Sequence, residues 1–231
     1  MRVLCEAGAW HVFSTYEHGL YRGIPRFSYH LFNSLLEKKE VEIIFFSSYE
    51  NTSYSSLKTF VRSQFGSVST TSITKKEDLQ EFAYVLFPLP SIYSTSYLHI
   101  FDNYIPVVVF IHDLMPIKLS KMGQKISQFN HCFRDNIRAL KNISNPITVS
   151  DCTKKDYCNF LQIPEEEVAV IHPAADPNIF FPDKGKTSSF NFYKPNYFLT
   201  FSFVGYFKNI PFLLKTFMEF IKEKKIHDLA L

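Results

Sequence analysis

The chain has 231 residues, 46% of them hydrophobic, which is ample for a core and rules out a disordered tail. Lys plus Arg number 25 and Asp plus Glu 22, and a net charge of +3 is too small to argue for nucleic acid. Only 7 glycines occur, and neither GxGxxG nor GxxxxGK[ST] is found, which argues against a dinucleotide fingerprint and a P-loop.

In chain order, apolar runs alternate with helical patterns, the signature of an α/β protein with a parallel sheet. "RVLCEAG" reads as a first strand and "AWHVFSTYEHGLYRG" as a polar, aromatic loop. "IPRFSYHLFNSLLEK" then puts Ile24, Phe27, Leu31, Phe32, Leu35 and Leu36 on one helical face. Pro25 after Gly23 suits the opening of that helix, where a missing N–H costs nothing. "VEIIFFS" is a second strand, and residues 48–82, rich in Ser and Thr, read as helical pieces joined by loops.

"AYVLFPL" is a short strand, and "PVVVFIH" a strand buried on both faces that ends in His112-Asp113 and the turn residues Leu-Met-Pro. "ISQFNHCFRDNIRALKN" places Ile126, Phe129, Phe133, Ile137 and Leu140 at helical spacing. "PITVS" is a strand, "DCTKKDYCNFLQI" a helix that Ser150 or Asp151 caps, and "EEVAVIHP" a further strand. "AADPNIFFPDKGKTSSFNFYKPN" is a connector. "YFLTFSFV" is a strand, and "PFLLKTFMEFIKEKK" a helix with Phe212, Leu213, Phe217, Phe220 and Ile221 inward.

The expected organisation is a Rossmann-like parallel-sheet domain over residues 1–180, a linker over 181–196, and the incomplete beginning of a second Rossmann-like domain over 197–231. No stretch approaches the ~18 uninterrupted apolar residues of a spanning helix, and "MRVLCEAGAW" lacks the apolar core of a signal peptide. Cys5, Cys132, Cys152 and Cys158 form no CxxC pair and read as reduced, largely buried thiols of a cytosolic protein. The basic pairs Lys38-Lys39, Lys75-Lys76, Lys154-Lys155 and Lys224-Lys225 mark solvated helix ends. Gathered on one face they would favour an anionic membrane surface.

In an open parallel sheet, ligands sit beyond the carboxyl ends of the strands. His112, with Asp113 behind it, is placed to meet a substrate there, or equally to fix the loop as a structural pair. Gly23 and Arg26 open the first long helix on the same edge, where free N–H groups and the helix dipole attract a phosphate; the alternative is an ordinary turn with a surface Arg. Lys208 and Asn209 repeat the pattern further on: a cation for a diphosphate, or a turn with Asn209 capping the helix ahead of Pro211. His11, Glu17 and His18 could touch a polar acceptor or face solvent, and His172 and Asp176 fix the connector. No His-Glu-x-x-His, Gly-x-Ser-x-Gly or metal set is present.

Four segments in this order resemble a GT-B glycosyltransferase of the glycosyltransferase family 4 (glycosyl transferases group 1) type. They are "RGIPRFSYHLFNSLL", "VVVFIHDLMPIKL", "ITVSDCTKKDYCNFLQIPEEEVAVIHPAADPNIFFP" and "YFLTFSFVGYFKNIPFLLKTF". The resemblance implies transfer of a sugar from a nucleotide-diphosphate sugar to a glycan or lipid-linked acceptor, with retention, in surface polysaccharide synthesis. It implies no cofactor and no metal, and a cytoplasmic protein with room for peripheral association at the inner face of the membrane. His112 and Asp113 would be catalytic, His112 contacting the donor sugar or its phosphate. Gly23, Arg26, Lys208 and Asn209 would bind the diphosphate, and His11, Glu17 and His18 the acceptor.

The sequence departs from the resembled pattern where Phe207 replaces the Arg expected before Lys208 and Ala174 replaces a Gly. It also ends before the family's paired glutamates, so a C-terminally truncated or degenerate, non-catalytic homologue that binds a glycan or partner is the alternative. A nucleotide-dependent epimerase-like Rossmann protein is disfavoured by the missing Gly-rich fingerprint.

Overall fold

The computed structural model describes residues 1–16, 23–48, 53–73, 76–90, 101, 104–121, 128–142, 145–175, 196–198, 200, 209–225 and 229–230. The chain divides into two compact units, Met1–Ala174 and Ala175–Leu231.

Seven strands build the sheet of the first unit: β1 Arg2–Glu6, β2 Glu42–Phe46, β3 Ser69–Thr70, β4 Tyr84–Phe87, β5 Val107–Ile111, β6 Asn145–Thr148 and β7 Ala169–Val170. Their order is β3-β2-β1-β4-β5-β6-β7, and every pairing is parallel. The chain winds outward from β1 to β3, then returns to the other side of β1 to lay down β4. Strand order therefore reverses between β1 and β4, and the crevice beyond their carboxyl ends is a topological switch point. This is a Rossmann-like α/β fold.

Among the described residues, six helices flank the sheet: α1 Gly8–Tyr16, α2 Gly23–Leu36, α3 Tyr54–Phe65, α4 Met115–Lys121, α5 Gln128–Ala139 and α6 Asp151–Leu161. The period-2 alternation of the strands sorts them onto two faces. Val3, Cys5, Ile43, Phe45, Leu86 and Phe110 meet Trp10 of α1, Phe32 of α2, and Leu57 and Val61 of α3. Leu4, Ile44, Phe46, Val85, Phe87, Val107, Val109 and Ile111 meet Ile117 of α4, Ile137 of α5, and Tyr157 and Leu161 of α6. Strand β5 is covered on both sides, as its unbroken apolar run requires. Ser150 is the residue that caps α6, its hydroxyl accepting from the Thr153 amide at 3.1 Å.

Four expectations are corrected. Gly8, read as the strand's end, and residues 9–16, read as loop, are helix α1, because the carboxylate of Glu6 accepts from the Gly8 and Ala9 amides that open it. Met115-Pro116, read as turn, opens helix α4, with Asp113 Oδ1 accepting from the Met115 amide at 3.0 Å. The stretch 48–82 holds a strand, β3, besides helix α3. In the "EEVAVIHP" run only Ala169–Val170 is strand, preceded by a 3-10 turn over Glu165–Glu167.

In the second unit, β8 Asn196–Tyr197 pairs in parallel with β9 Leu229–Ala230, and helix α7 Ile210–Lys224 lies between them in sequence. Phe212 and Phe220, expected inward, are exposed at 62% and 40%. Residues 176–195 of the connector and most of the "YFLTFSFV" segment lie outside the described residues. Among the described residues, no helix is long and apolar enough to cross a membrane.

Candidate functional site

The carboxyl rim of the sheet collects the ends of β1, β2, β4, β5 and β6, and His112 stands directly after β5. Its side chain is half-buried, and Nε2 lies 2.8 Å from the carbonyl oxygen of Pro88, the residue following β4. A carbonyl only accepts, so Nε2 carries the hydrogen and donates it. The backbone oxygen of His112 accepts from the Thr153 hydroxyl at 3.2 Å, tying the β5 exit to the first turn of α6.

Burial holds the imidazole below the usual histidine range, against the opposing pull of the Pro88 carbonyl and the Asp113 charge. The ring is thus neutral at neutral pH. Among the described residues Nδ1 has no hydrogen-bond partner. A neutral ring fixed this way offers a ligand one lone pair and no second N–H.

Helix α2 reaches the same place through Phe27. Its ring packs against Phe110 at 5.0 Å and against the His112 imidazole at 4.8 Å. The first turn of α2, with Gly23 and half-buried Arg26, therefore shares the rim with the β5 exit. Gly23 has φ +24° and is exposed, with no atom within 4 Å of where a Cβ would sit. Asp113 is exposed, and one of its oxygens is committed to the start of α4.

His11 faces helix α3: Nε2 lies 3.5 Å from the Ser56 hydroxyl, and the ring packs on Phe60 at 4.7 Å. Ser55, Ser56, Thr59, Phe60 and Ser63 line an open groove beside it. Burial lowers this imidazole too. In the second unit, Asn209 stands at the start of α7 with φ +48° and makes no side-chain capping bond, so the capping role read for it is not realised. Glu17, His18 and Lys208 lie outside the described residues, as does Asp176, while His172 Nε2 lies 3.7 Å from Asp151 Oδ2 with both exposed.

Sequence reasoning missed Glu6. It ends β1, at the switch point, and is fully buried. Its carboxylate accepts from Gly8 and Ala9 at the start of α1 and from the amide and hydroxyl of Ser48 after β2. The signal was a lone carboxylate closing the apolar run "VLC", where a two-face buried strand has no place for a charge. Among the described residues, no group of three or more His, Cys, Asp or Glu side chains could hold a metal ion.

No protein-family model matches the chain, and no curated protein matches it significantly. Among solved structures, it is similar to lactate dehydrogenase from Eimeria maxima with NADH and oxamate, at 11% identity and a TM-score of 0.22. That likeness covers 74% of this chain and 42% of the other, so the chain spans less than half the length of that structure. The fold assignment rests on the parallel order of the seven strands.

Proposed function

We propose that the rim belongs to a glycosyltransferase, which moves a sugar from a nucleotide-diphosphate sugar to a glycan or lipid-linked acceptor. The transfer would be metal-independent and retaining, and would serve surface polysaccharide synthesis. The observation that supports this reading is the fixed tautomer of His112, with Nε2–H spent on Pro88 and the Nδ1 lone pair left to accept.

That tautomer chooses between the two contacts the resemblance allows. A phosphate oxygen needs a donor, and a neutral imidazole whose N–H is already used has none to give. A sugar hydroxyl supplies its own hydrogen to Nδ1. His112 therefore orients the donor sugar, while the amides opening α2 and the Arg26 guanidinium answer the negative charge that grows on the departing diphosphate. Asp113, bonded to the start of α4, positions the loop that carries His112.

The test is consumption of a panel of nucleotide-diphosphate sugars by the wild type and by His112→Ala, followed by mass spectrometry. At least a tenfold loss in the variant is expected. Equal turnover removes His112 from the mechanism, and no turnover of any donor by the wild type contradicts the transferase reading. A non-catalytic, glycan- or partner-binding homologue is the second reading, favoured by Phe207 where the resembled motif carries a cation. It predicts saturable glycan binding without consumption of donor.

A further inference from the structure

The carboxyl group of Glu6 joins two segments that are far apart in sequence. Oε1 lies 2.9 Å from the Gly8 amide, 3.3 Å from the Ala9 amide, and 3.3 and 3.2 Å from the amide and hydroxyl of Ser48. Oε2 lies 3.3 Å from the Ala9 amide. Every partner is a neutral N–H or O–H group, and among the described residues no cation shares the pocket. The fit is close: a Cβ on Gly8 would stand 2.0 Å from Ser47 Oγ and 2.9 Å from Glu6 Oε1.

The two protonation states of this group cannot make the same contacts. An ionised carboxylate only accepts, and all these donors then have a lone pair to meet. A protonated one carries a hydrogen on one oxygen, which makes that oxygen a donor and a weaker acceptor for the N–H it faces. Oε2 has the fewest donors and takes the proton, which leaves the Ala9 amide to Oε1 alone.

We propose that Glu6 is a proton-sensitive joint: ionised, it clamps the first turn of α1 to the exit of β2, and protonated, it gives up one of those contacts and lets the two segments shift. The joint stands at the β1 side of the switch point, and the proposal is independent of the transferase reading.

Burial without a countercharge pushes this carboxyl up to about 7, against the lowering effect of the Ser48, Ala9 and Gly8 hydrogen bonds, so both states are populated near neutral pH. Cys5, beside it on β1, is the titratable neighbour whose charge couples with it, and burial keeps that thiol neutral far above this range. The β2 exit presents Ser47 and Ser48, and the β4 exit Pro88 and Leu89, none of which ionises. On α1 the first ionisable group is His11, which burial keeps below the usual histidine range.

The experiment is an amide ¹⁵N–¹H titration of the chain from about pH 5.5 to about 8.5, a window centred on the expected midpoint. The Ala9 and Ser48 amides should share one inflection near pH 7, and Glu6→Gln should abolish it. Ser48→Ala, which removes a donor to the ionised form and keeps the carboxylate, should move the midpoint upward, and it decides the matter even where Glu6→Gln fails to fold. Resonances flat across the range, an inflection that persists in Glu6→Gln, or a midpoint unmoved or lowered in Ser48→Ala would each overturn the proposal.

Discussion

The ring of Phe27 stands edge-on to the imidazole of His112, with 4.8 Å between centroids and 86° between planes. One aromatic side chain thereby couples the first turn of α2 to the end of β5, since it also packs edge-on against Phe110. With Nε2 held by Pro88 on another side, the imidazole has little rotational freedom left.

Phe27→Ala should therefore act twice. Removing a half-buried phenyl ring should lower stability by about 2 kcal/mol, below the full-burial range because part of the ring is exposed. Urea denaturation checks this. The second effect is on order: the His112 Nε2–H should exchange faster with solvent, while Phe27→Leu, which keeps bulk against the ring, should fall between the two.

The lowered His112 predicts a pH dependence with a definite sign. Between its folded value and the ordinary ~6.5, the unfolded chain binds a proton that the native chain does not. Its stabilising share is fully present above about pH 6.5 and is lost as pH falls through the folded value. A ¹H–¹⁵N titration of the ring should show a midpoint under 6.5, and donor consumption should fall on the acid side with it. Glu6, raised from 4.5 to about 7, has the opposite sign: its share is complete below about 4.5 and lost as pH climbs towards 7. Denaturation of His112→Gln against pH separates the two.

Strand β5 and its exit were legible because their information is local. Val107 to Ile111 is an unbroken apolar run, and only a strand covered on both faces uses one. Helix α6 was legible for the same reason, with Ser150 three residues ahead of the amide it caps. Helix α1 was missed although Ala9, Val12, Phe13 and Tyr16 stand at helical spacing, because the segment is short and its opening amides are satisfied by a carboxylate in the preceding strand rather than by a capping residue of its own. Nor was the role of Glu6, whose partner Ser48 lies 42 residues away and meets it only once β1 and β2 pair. The tautomer of His112 is likewise tertiary, since it is set by the Pro88 carbonyl at the end of another strand.

Gly8 should tolerate no side chain. A Cβ there would overlap Ser47 Oγ at 2.0 Å and Ser47 Cβ at 2.8 Å, and the second atom cannot rotate away. Gly8→Ala should cost about 1–3 kcal/mol through overpacking, despite alanine's better helix propensity. A lowered urea midpoint with an unchanged m-value is the expected result.

Tyr157 should behave in the opposite way. It is fully buried on α6, and among the described residues its hydroxyl has no hydrogen-bond partner. A buried hydroxyl without a partner carries a desolvation cost and returns nothing. Tyr157→Phe should be neutral or stabilising by up to about 1 kcal/mol, read as a thermal midpoint at or above that of the wild type.

The central claim is that Nδ1 of His112 accepts from a hydroxyl of the donor sugar. The direct measurement follows the His112 ring nitrogens in the ¹⁵N-histidine-labelled chain during titration with nucleotide-diphosphate sugars, and in parallel with the corresponding nucleotide diphosphates. The account predicts a saturable shift at Nδ1, with Nε2 unmoved, for the sugar-bearing ligands alone. An equal response to the diphosphates without sugar, or no response of the ring to any donor at millimolar concentration, would contradict it.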